Sequence, residues 1–415
     1  MEKYLVVWPK SDSVVHINYH YSDFGEIVDY LNNKLPEKVV ALDQDISNEN
    51  VIDFIKKDRV SRVAMMVNFE NVENAFNIAN EIKTRLGIPI MAYGNIPVKF
   101  PGLFVGSGFD VIFNNGDYET SIQSFFESYP DGYEMCGAIR IYGNYANYTS
   151  PGKIKSPNEW GYSKPNQVPV FEYDKKKGKN RYVLNISRGC PFGCEHCLIQ
   201  TIEGLRERRR SVENVDRALA DITQQYKHIK IWAANFTLNR KYVSDFCDVM
   251  NKYPDVTWEC ATRIDLVQND EMLEKMAKAG CKQISMGIES LNSGKFIESK
   301  QFSVKEVEDT IKRIQSHGIR VRGCIMLGIH GQTKQDIIDT LKFLKENNVS
   351  TRPTVFTPYH EIVNPKIKDL KNYNRKTFEN NFIEGVSPEQ LVELTKRPFD
   401  YDEILNSSVK TKNEE

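Results

Sequence analysis

The sequence predicts an α/β chain of two domains: a doubly wound parallel sheet over residues 1–128, then a partial barrel of six β/α units over 182–358. Three observations predict it. Short β-branched runs alternate with amphipathic stretches at the start of the chain. The alternation lapses over 129–181 into sequence rich in Tyr, Gly, Pro, Asn and Lys, read as a linker that wraps the surface. It then resumes with three cysteines directly behind its first strand. Residues 359–415 form a C-terminal extension, polar apart from the helical pattern SPEQLVELTKR, and are a candidate lid.

The first four strands are expected in KYLVVWP, KVVALD, RVAMMVNF and IPIMAYG, runs apolar enough for strands buried on both faces. Helices fall between them in NENVIDFIKKD and ENAFNIANEIKTRLG, the second stopped by Gly87 and Pro89. A fifth strand, FDVIFN, precedes the helix DYETSIQSFFESY, whose early acidic residues suit a helix N-terminus. In the second domain RYVLNISRG, IKIWAANFTL, TWECATRID, KQISMGIES, IRVRGCIMLGI and RPTVFTP are strands. Helical patterns separate the later ones, two of them stopping at Gly280 and Gly318. Ligands of both architectures belong at the carboxyl ends of the strands.

With 40% apolar and 27% charged residues the chain is an ordered globular protein, and 415 residues exceed one ordinary core. A net charge of −1 argues against a dedicated partner of nucleic acid or anionic membrane. No apolar run approaches the roughly 20 residues of a membrane helix, and MEKYLVVWPK lacks the features of a signal peptide. A cytoplasmic, reducing location is therefore expected, where clustered cysteines serve as metal ligands or catalysts.

That cluster is Cys190, Cys194 and Cys197, in NISRGCPFGCEHCLIQ. Thiolates in such a group suit zinc or an iron–sulfur cluster. Structural zinc takes four ligands, and no fourth is evident: His196 is hemmed in by its neighbours, and Cys136, Cys247, Cys260, Cys281 and Cys324 are isolated, mostly within helix or strand patterns. Those five read as core residues. A four-iron cluster on three thiolates leaves one iron open to a substrate. Pro191 and Gly193 are expected to shape the turn that lets the thiols converge. A zinc knuckle is the alternative.

The segment CPFGCEHC behind a barrel strand resembles the CxxxCxxC signature of the radical SAM superfamily. The resemblance implies a [4Fe–4S] cluster on the three cysteines, S-adenosylmethionine chelated at the open iron, and reductive cleavage to a 5′-deoxyadenosyl radical. It also implies an electron donor such as flavodoxin or ferredoxin. His196 departs from the aromatic residue usual beside the last cysteine. Further stretches extend the match over 182–358. WAANFTLN nominates Asn235 and Thr237 for SAM, with Ala233 and Ala234 where relatives often have an acid. ECATRID nominates Arg263, whose fork suits a carboxylate. AGCKQISMGIESLN offers Glu289 and Ser290 to the ribose or methionine portion, a barrel salt bridge being the other reading of Arg263 and Glu289. VRGCIMLGIHGQT offers Gly328 and Gly331 for close approach to adenine. RERRRSVENV reads as a turn leading a helix, capped by Ser211, with Arg209 and Arg210 near the site mouth.

A Rossmann-like leader before such a barrel is similar to the cobalamin-binding branch of that superfamily, and implies cobalamin over its strand ends. The DxHxxG motif of many cobalamin domains is absent, His16 and His20 lacking that spacing. MAYGNIP nominates Gly94 and Asn95 for the nucleotide tail, VNFEN nominates Asn68, and GFDVIFNNGDYE nominates Gly116. The resemblance implies methylation of an unactivated carbon, with methyl passed from SAM through cobalt to a substrate radical. Rearrangement, cyclisation or epimerisation without methyl transfer, and a non-catalytic cobalamin- or metal-binding module, are the alternatives. Methylthio transfer is disfavoured because residues 1–128 hold no cysteine. A small molecule or peptide is the expected substrate, with Tyr359 and His360 as candidate contacts and no acid–base residue assigned.

Overall fold

The computed structural model describes residues 2–11, 21–130, 135–142, 145–148, 152, 154, 156–169, 172–173, 175, 181–194, 196–291, 302–356, 361–370 and 383–407. His16, His20, Tyr359 and His360 lie outside them. The chain divides into two compact units: Met1–Phe192 with Cys197–Asn214 and His360–Lys371, and Gly193–His196 with Val215–Tyr359 and Asn372–Glu415.

In the first unit β1 (Lys3–Trp8), β2 (Val39–Asp43), β3 (Val60–Met66), β4 (Ile90–Tyr93) and β5 (Val111–Phe113) form a parallel sheet in the order 2-1-3-4-5. This is the expected doubly wound arrangement, with β1 between β2 and β3 and the order reversing there. The apolar runs are buried on both faces, as parallel strands under two helical layers must be: Leu5, Val63, Met65 and Ile112 are fully inaccessible. Helices α1 (Tyr21–Lys34), α2 (Val51–Asp58), α3 (Val72–Leu86), α4 (Asn95–Lys99) and α5 (Tyr118–Ser128) connect the strands. Asn50 caps α2 by accepting from the amides of Ile52 and Asp53. Gly87 ends α3 as the sequence indicates.

The presumed linker is a correction to the sequence reading. β6 (Ala138–Tyr142) and β7 (Tyr145–Tyr148) extend the sheet antiparallel beyond β5. Ile154, Trp160, Val168 and Tyr173 pack into the same core as β1 and α1, and the Tyr173 hydroxyl donates to Asp43 at the end of β2. Its Gly- and Pro-rich composition hid strands too short and irregular to show a period.

The unit also contains β8 (Tyr182–Asn185) and a two-stranded ribbon of β9 (Ser187–Arg188) with β10 (Arg208–Arg209). In the second unit β11 (His228–Trp232), β12 (Thr257–Thr262), β13 (Cys281–Glu289), β14 (Arg320–Leu327) and β15 (Ser350–Thr351) are neighbours in that order, all parallel, and β16 (Thr354–Val355) also pairs with β14. The pairing leaves an open sheet, in keeping with a partial barrel. Helices 240–250, 270–278, 304–316 and 334–346 alternate with these strands, and Ser303 with Glu306 and Thr333 with Asp336 form the capping boxes of the last two. The predicted helix at SPEQLVELTKR spans Pro388–Lys396.

Candidate active site

The cysteine loop leaves the first unit's ribbon directly after Arg188. Cys190 is buried, and its amide donates to the Gly204 carbonyl at 3.1 Å; Cys194 and Cys197 are half-buried. Gly189, rather than Gly193, is the glycine the loop demands. Its φ is +86°, and a Cβ there would stand 2.3 Å from the Arg206 carbonyl oxygen, whereas a Cβ on Gly193 would meet nothing within 4 Å. The Glu203 carboxylate accepts from the Gly189 amide at 2.6 Å, tying the loop's entry to its exit. Among the described residues no three His, Cys, Asp or Glu side chains are grouped to hold one metal ion. A cubane, unlike a single ion, places each thiolate on a different iron. The other thiols contrast with these. Burial pushes Cys247 up to about 12, and burial with Cys281 beside it raises Cys260 well above the thiol range. Such groups stay protonated and are poor ligands.

Sequence reasoning missed the ionic cluster that carries this loop. Arg188 donates to Glu119 at 2.6 Å and Glu26 at 3.1 Å and reaches Asp117 at 3.3 Å, while Arg208 pairs with Asp117 at 2.6 Å. The Arg188 and Arg208 guanidinium carbons lie 4.5 and 5.5 Å from the centre of the Trp160 ring. Arg210 is a further correction. It is 1% exposed, and its guanidinium donates to the carbonyls of Asn185, Trp160 and Gly161. Ser211 does cap the next helix, accepting from the Asn214 amide.

Burial pushes Glu26 up to about 8, against the pull of Arg188 and Arg210. Because the folded value exceeds the ordinary 4.5, the folded protein keeps a proton that the unfolded chain has released. The stability from this group is full below about 4.5 and is lost as pH rises through about 8. Glu26→Gln, which cannot ionise, is expected to match the natural chain near pH 5 and to exceed its denaturation midpoint near pH 9. An unchanging gap between the two proteins across that range would show that Glu26 is charged throughout.

In the second unit the SAM candidates lie at or just beyond the carboxyl ends of successive strands. Thr237, in a short 3-10 turn after β11, is buried and shares a 2.6 Å hydrogen bond with Thr262 at the end of β12. Asn235 is buried at the start of that turn. The Arg263 fork is engaged by Asp265, two residues on, through Nε at 3.0 Å and Nη2 at 3.2 Å, a local salt bridge. Glu289 sits after a register shift in β13 with φ of +61°, a left-handed backbone that costs a non-glycine residue about 1 kcal/mol or more. Strain of that kind accompanies a side chain that must be aimed. His196 Nε2 lies 3.9 Å from its carboxylate. Ser290 is 1% exposed. The Gly328 amide donates to Gln332 at 2.8 Å, a partner the sequence pattern did not indicate. Gly331 makes no close approach, a Cβ there meeting nothing within 4 Å.

In the first unit Asn68, Gly94 and Asn95 come together behind β3 and β4. Asn68 Oδ1 accepts from the Asn95 amide at 2.9 Å, and Asn71 Oδ1 accepts from the Asn68 amide at 2.8 Å. Gly94, with φ of +117°, lets the turn pass so close that a Cβ would meet Asn68 Oδ1 and the Val67 carbonyl at 2.6 Å. Beside them Tyr93 Oη, and in α5 Ser121 Oγ, are buried with no hydrogen-bond partner among the described residues. Unmet polar groups near the strand ends suit a polar ligand such as the cobalamin tail. Gly116 is accounted for differently. A Cβ there would fall 1.9 Å from the Gly152 carbonyl oxygen, so the chain itself fills that space.

Residues 184–344 match the family model of the Radical SAM superfamily, so this stretch is a radical SAM domain, preceded by a Rossmann-like one. The chain is 26% identical over 258 residues to an uncharacterized methyltransferase of Pyrococcus horikoshii, covering 59% of this chain and 55% of that one. It is 23% identical over 237 residues to the bacteriochlorophyllide d C-12(1)-methyltransferase of Chlorobaculum tepidum, covering 52% of each. It thus spans about half the length of these relatives. Among solved structures it is similar in fold to the radical S-adenosylmethionine methyltransferase TsrM from Kitasatospora setae, determined with cobalamin and a [4Fe–4S] cluster bound. The TM-score is 0.68 at 16% identity, over 86% of this chain and 76% of that one. No described helix is long and apolar enough to cross a membrane.

Proposed function

We propose that this chain is a cobalamin-dependent radical SAM enzyme that methylates an unactivated carbon of a small molecule or peptide. The observation that carries the reading is the cysteine triplet within a radical SAM domain that follows a doubly wound leader. When bound, the cluster and SAM supply a radical able to take hydrogen from carbon, and cobalamin supplies the methyl group. In this reading Cys190, Cys194 and Cys197 hold the cluster. Asn235, Thr237, Arg263, Glu289, Ser290 and Gly328 bind SAM. Asn68, Gly94 and Asn95 bind the corrin's tail, and Gly116 shapes the neighbouring turn. The protein's own work is to orient these groups and exclude water. A donor such as flavodoxin or ferredoxin supplies the electron. The names of the relatives, a C-methyltransferase among them, support the reading.

The test is anaerobic reconstitution with iron, sulfide, SAM and cobalamin. The expected result is a folded protein that retains corrin and releases 5′-deoxyadenosine under reduction. Cluster-loaded protein that retains no corrin would remove the methylation proposal.

A further inference from the structure

One face of the second unit's sheet packs on helices. Gly323 marks the packed side, since a Cβ there would meet Leu344 of helix 334–346, with Ile288 and Val349. Alternate residues of β14, namely Arg320, Arg322, Cys324 and Met326, therefore point to the other side, and each is at least partly exposed. Strand register sets the rows on that face. Lys230, Glu259, Gln283 and Arg320 align in one row; Ala261, Ser285 and Arg322 form the next; Gly287 and Cys324 follow. Trp232, two residues beyond Lys230 on the same side, is 44% exposed, with the Lys230 ammonium 5.0 Å from its ring centre.

In the first row Glu259 accepts from Gln283 at 3.1 Å and lies 3.7 Å from His228 Nε2, and Arg320 is exposed to solvent. Arg322 differs. It is half-buried in the middle of the sheet, and neither its guanidinium nor the Ser285 hydroxyl beside it has a hydrogen bond or ion pair among the described residues. An arginine held in a strand with no anion among the described residues is a preset fork for one. Ala261, Ser285 and Gly287, on β12 and β13, are all small.

We propose that Arg322 and Ser285 form the carboxylate-binding subsite for the substrate, with Trp232 supporting its planar, apolar body. One fork and one hydroxyl match the two oxygens of a carboxylate. The substrate class is thus an aromatic or otherwise planar carboxylic acid. Calling the bound molecule a substrate rests on the radical SAM reading above.

The test uses the full chain and two probes, 1-naphthylacetate and its uncharged amide, followed by equilibrium dialysis. The natural protein is expected to prefer the acid about tenfold, the scale of one charged hydrogen-bonded contact. Arg322→Gln should erase that preference. Trp232→Ala should weaken both probes together and preserve their ratio. Equal binding of acid and amide, no binding of either, or a preference that survives Arg322→Gln overturns the proposal. So does loss of SAM binding in Arg322→Gln, which would place the guanidinium on the nucleotide. Probe binding needs neither cluster nor corrin. Failed SAM cleavage with probe selectivity intact therefore strikes the proposed function alone, and lost selectivity in an active enzyme strikes the subsite alone.

Discussion

Alanine in place of Cys190, Cys194 or Cys197, one at a time, is expected to bring both SAM cleavage and retained iron to background after anaerobic reconstitution. Two thiolates hold a four-iron cluster poorly, and without it there is no reductant next to the sulfonium. Iron and sulfide analysis with the 5′-deoxyadenosine yield reads the result. Cys247→Ala is the control. That thiol is fully buried and pushed up to about 12, so it stays protonated and ligates nothing. Its loss removes one small core side chain, and activity should be largely retained. Equal loss in Cys247→Ala would overturn the ligand assignment.

The second large effect is expected at Arg188. Replacing it with methionine keeps the bulk but leaves the Glu119 carboxylate without its cation, deprives Asp117 of one of its two, and takes a hydrogen-bond donor from Glu26. Glu26 is 2% exposed and Glu119 fully buried, so water cannot substitute. Removing one partner of a buried ionic group costs about 3–5 kcal/mol. Burial would raise Asp117, but Arg208 and Arg188 hold its carboxyl below the usual range; part of that support disappears too. The urea midpoint of Arg188→Met should fall accordingly. A second replacement, Glu119→Gln with Arg188 present, should cost less, because Arg188 keeps Glu26 and Asp117. A loss under about 1 kcal/mol in Arg188→Met would mean that the cluster is solvated like an ordinary surface pair.

Much of the fold was legible because burial leaves a period in the sequence. The β-branched runs at 3–8, 60–66 and 90–93 became central strands, and the helix stops at Gly87, Gly280 and Gly318 fell where glycine indicated. The sheet's two antiparallel strands at 138–148 left no comparable trace, being short and set among Tyr, Gly and Asn. Site chemistry was legible where spacing is local, as in the three cysteines. It was illegible where partners are distant in sequence. Arg188 and Glu26 are 162 residues apart, and no local pattern announces such a pair. Gly189 was overlooked for Gly193 because a steric demand by the Arg206 carbonyl shows only once the ribbon is formed. The contact of Arg263 with Asp265, two residues on, was not read from the sequence either.

The weaving of residues 138–173 into the first sheet and core bears on how such enzymes recombine. A crossover placed after residue 128 would sever β6, Trp160 and Tyr173 from the strands they cover, and one placed after 181 would part Arg210 from the carbonyls it clasps. Chimeras between relatives should tolerate a seam beyond Asn214 better than one at either of those places, because the first compact unit takes in Cys197–Asn214. Heredity of the metal-loop entry would then follow the amino-terminal parent, whatever chemistry the other parent brings.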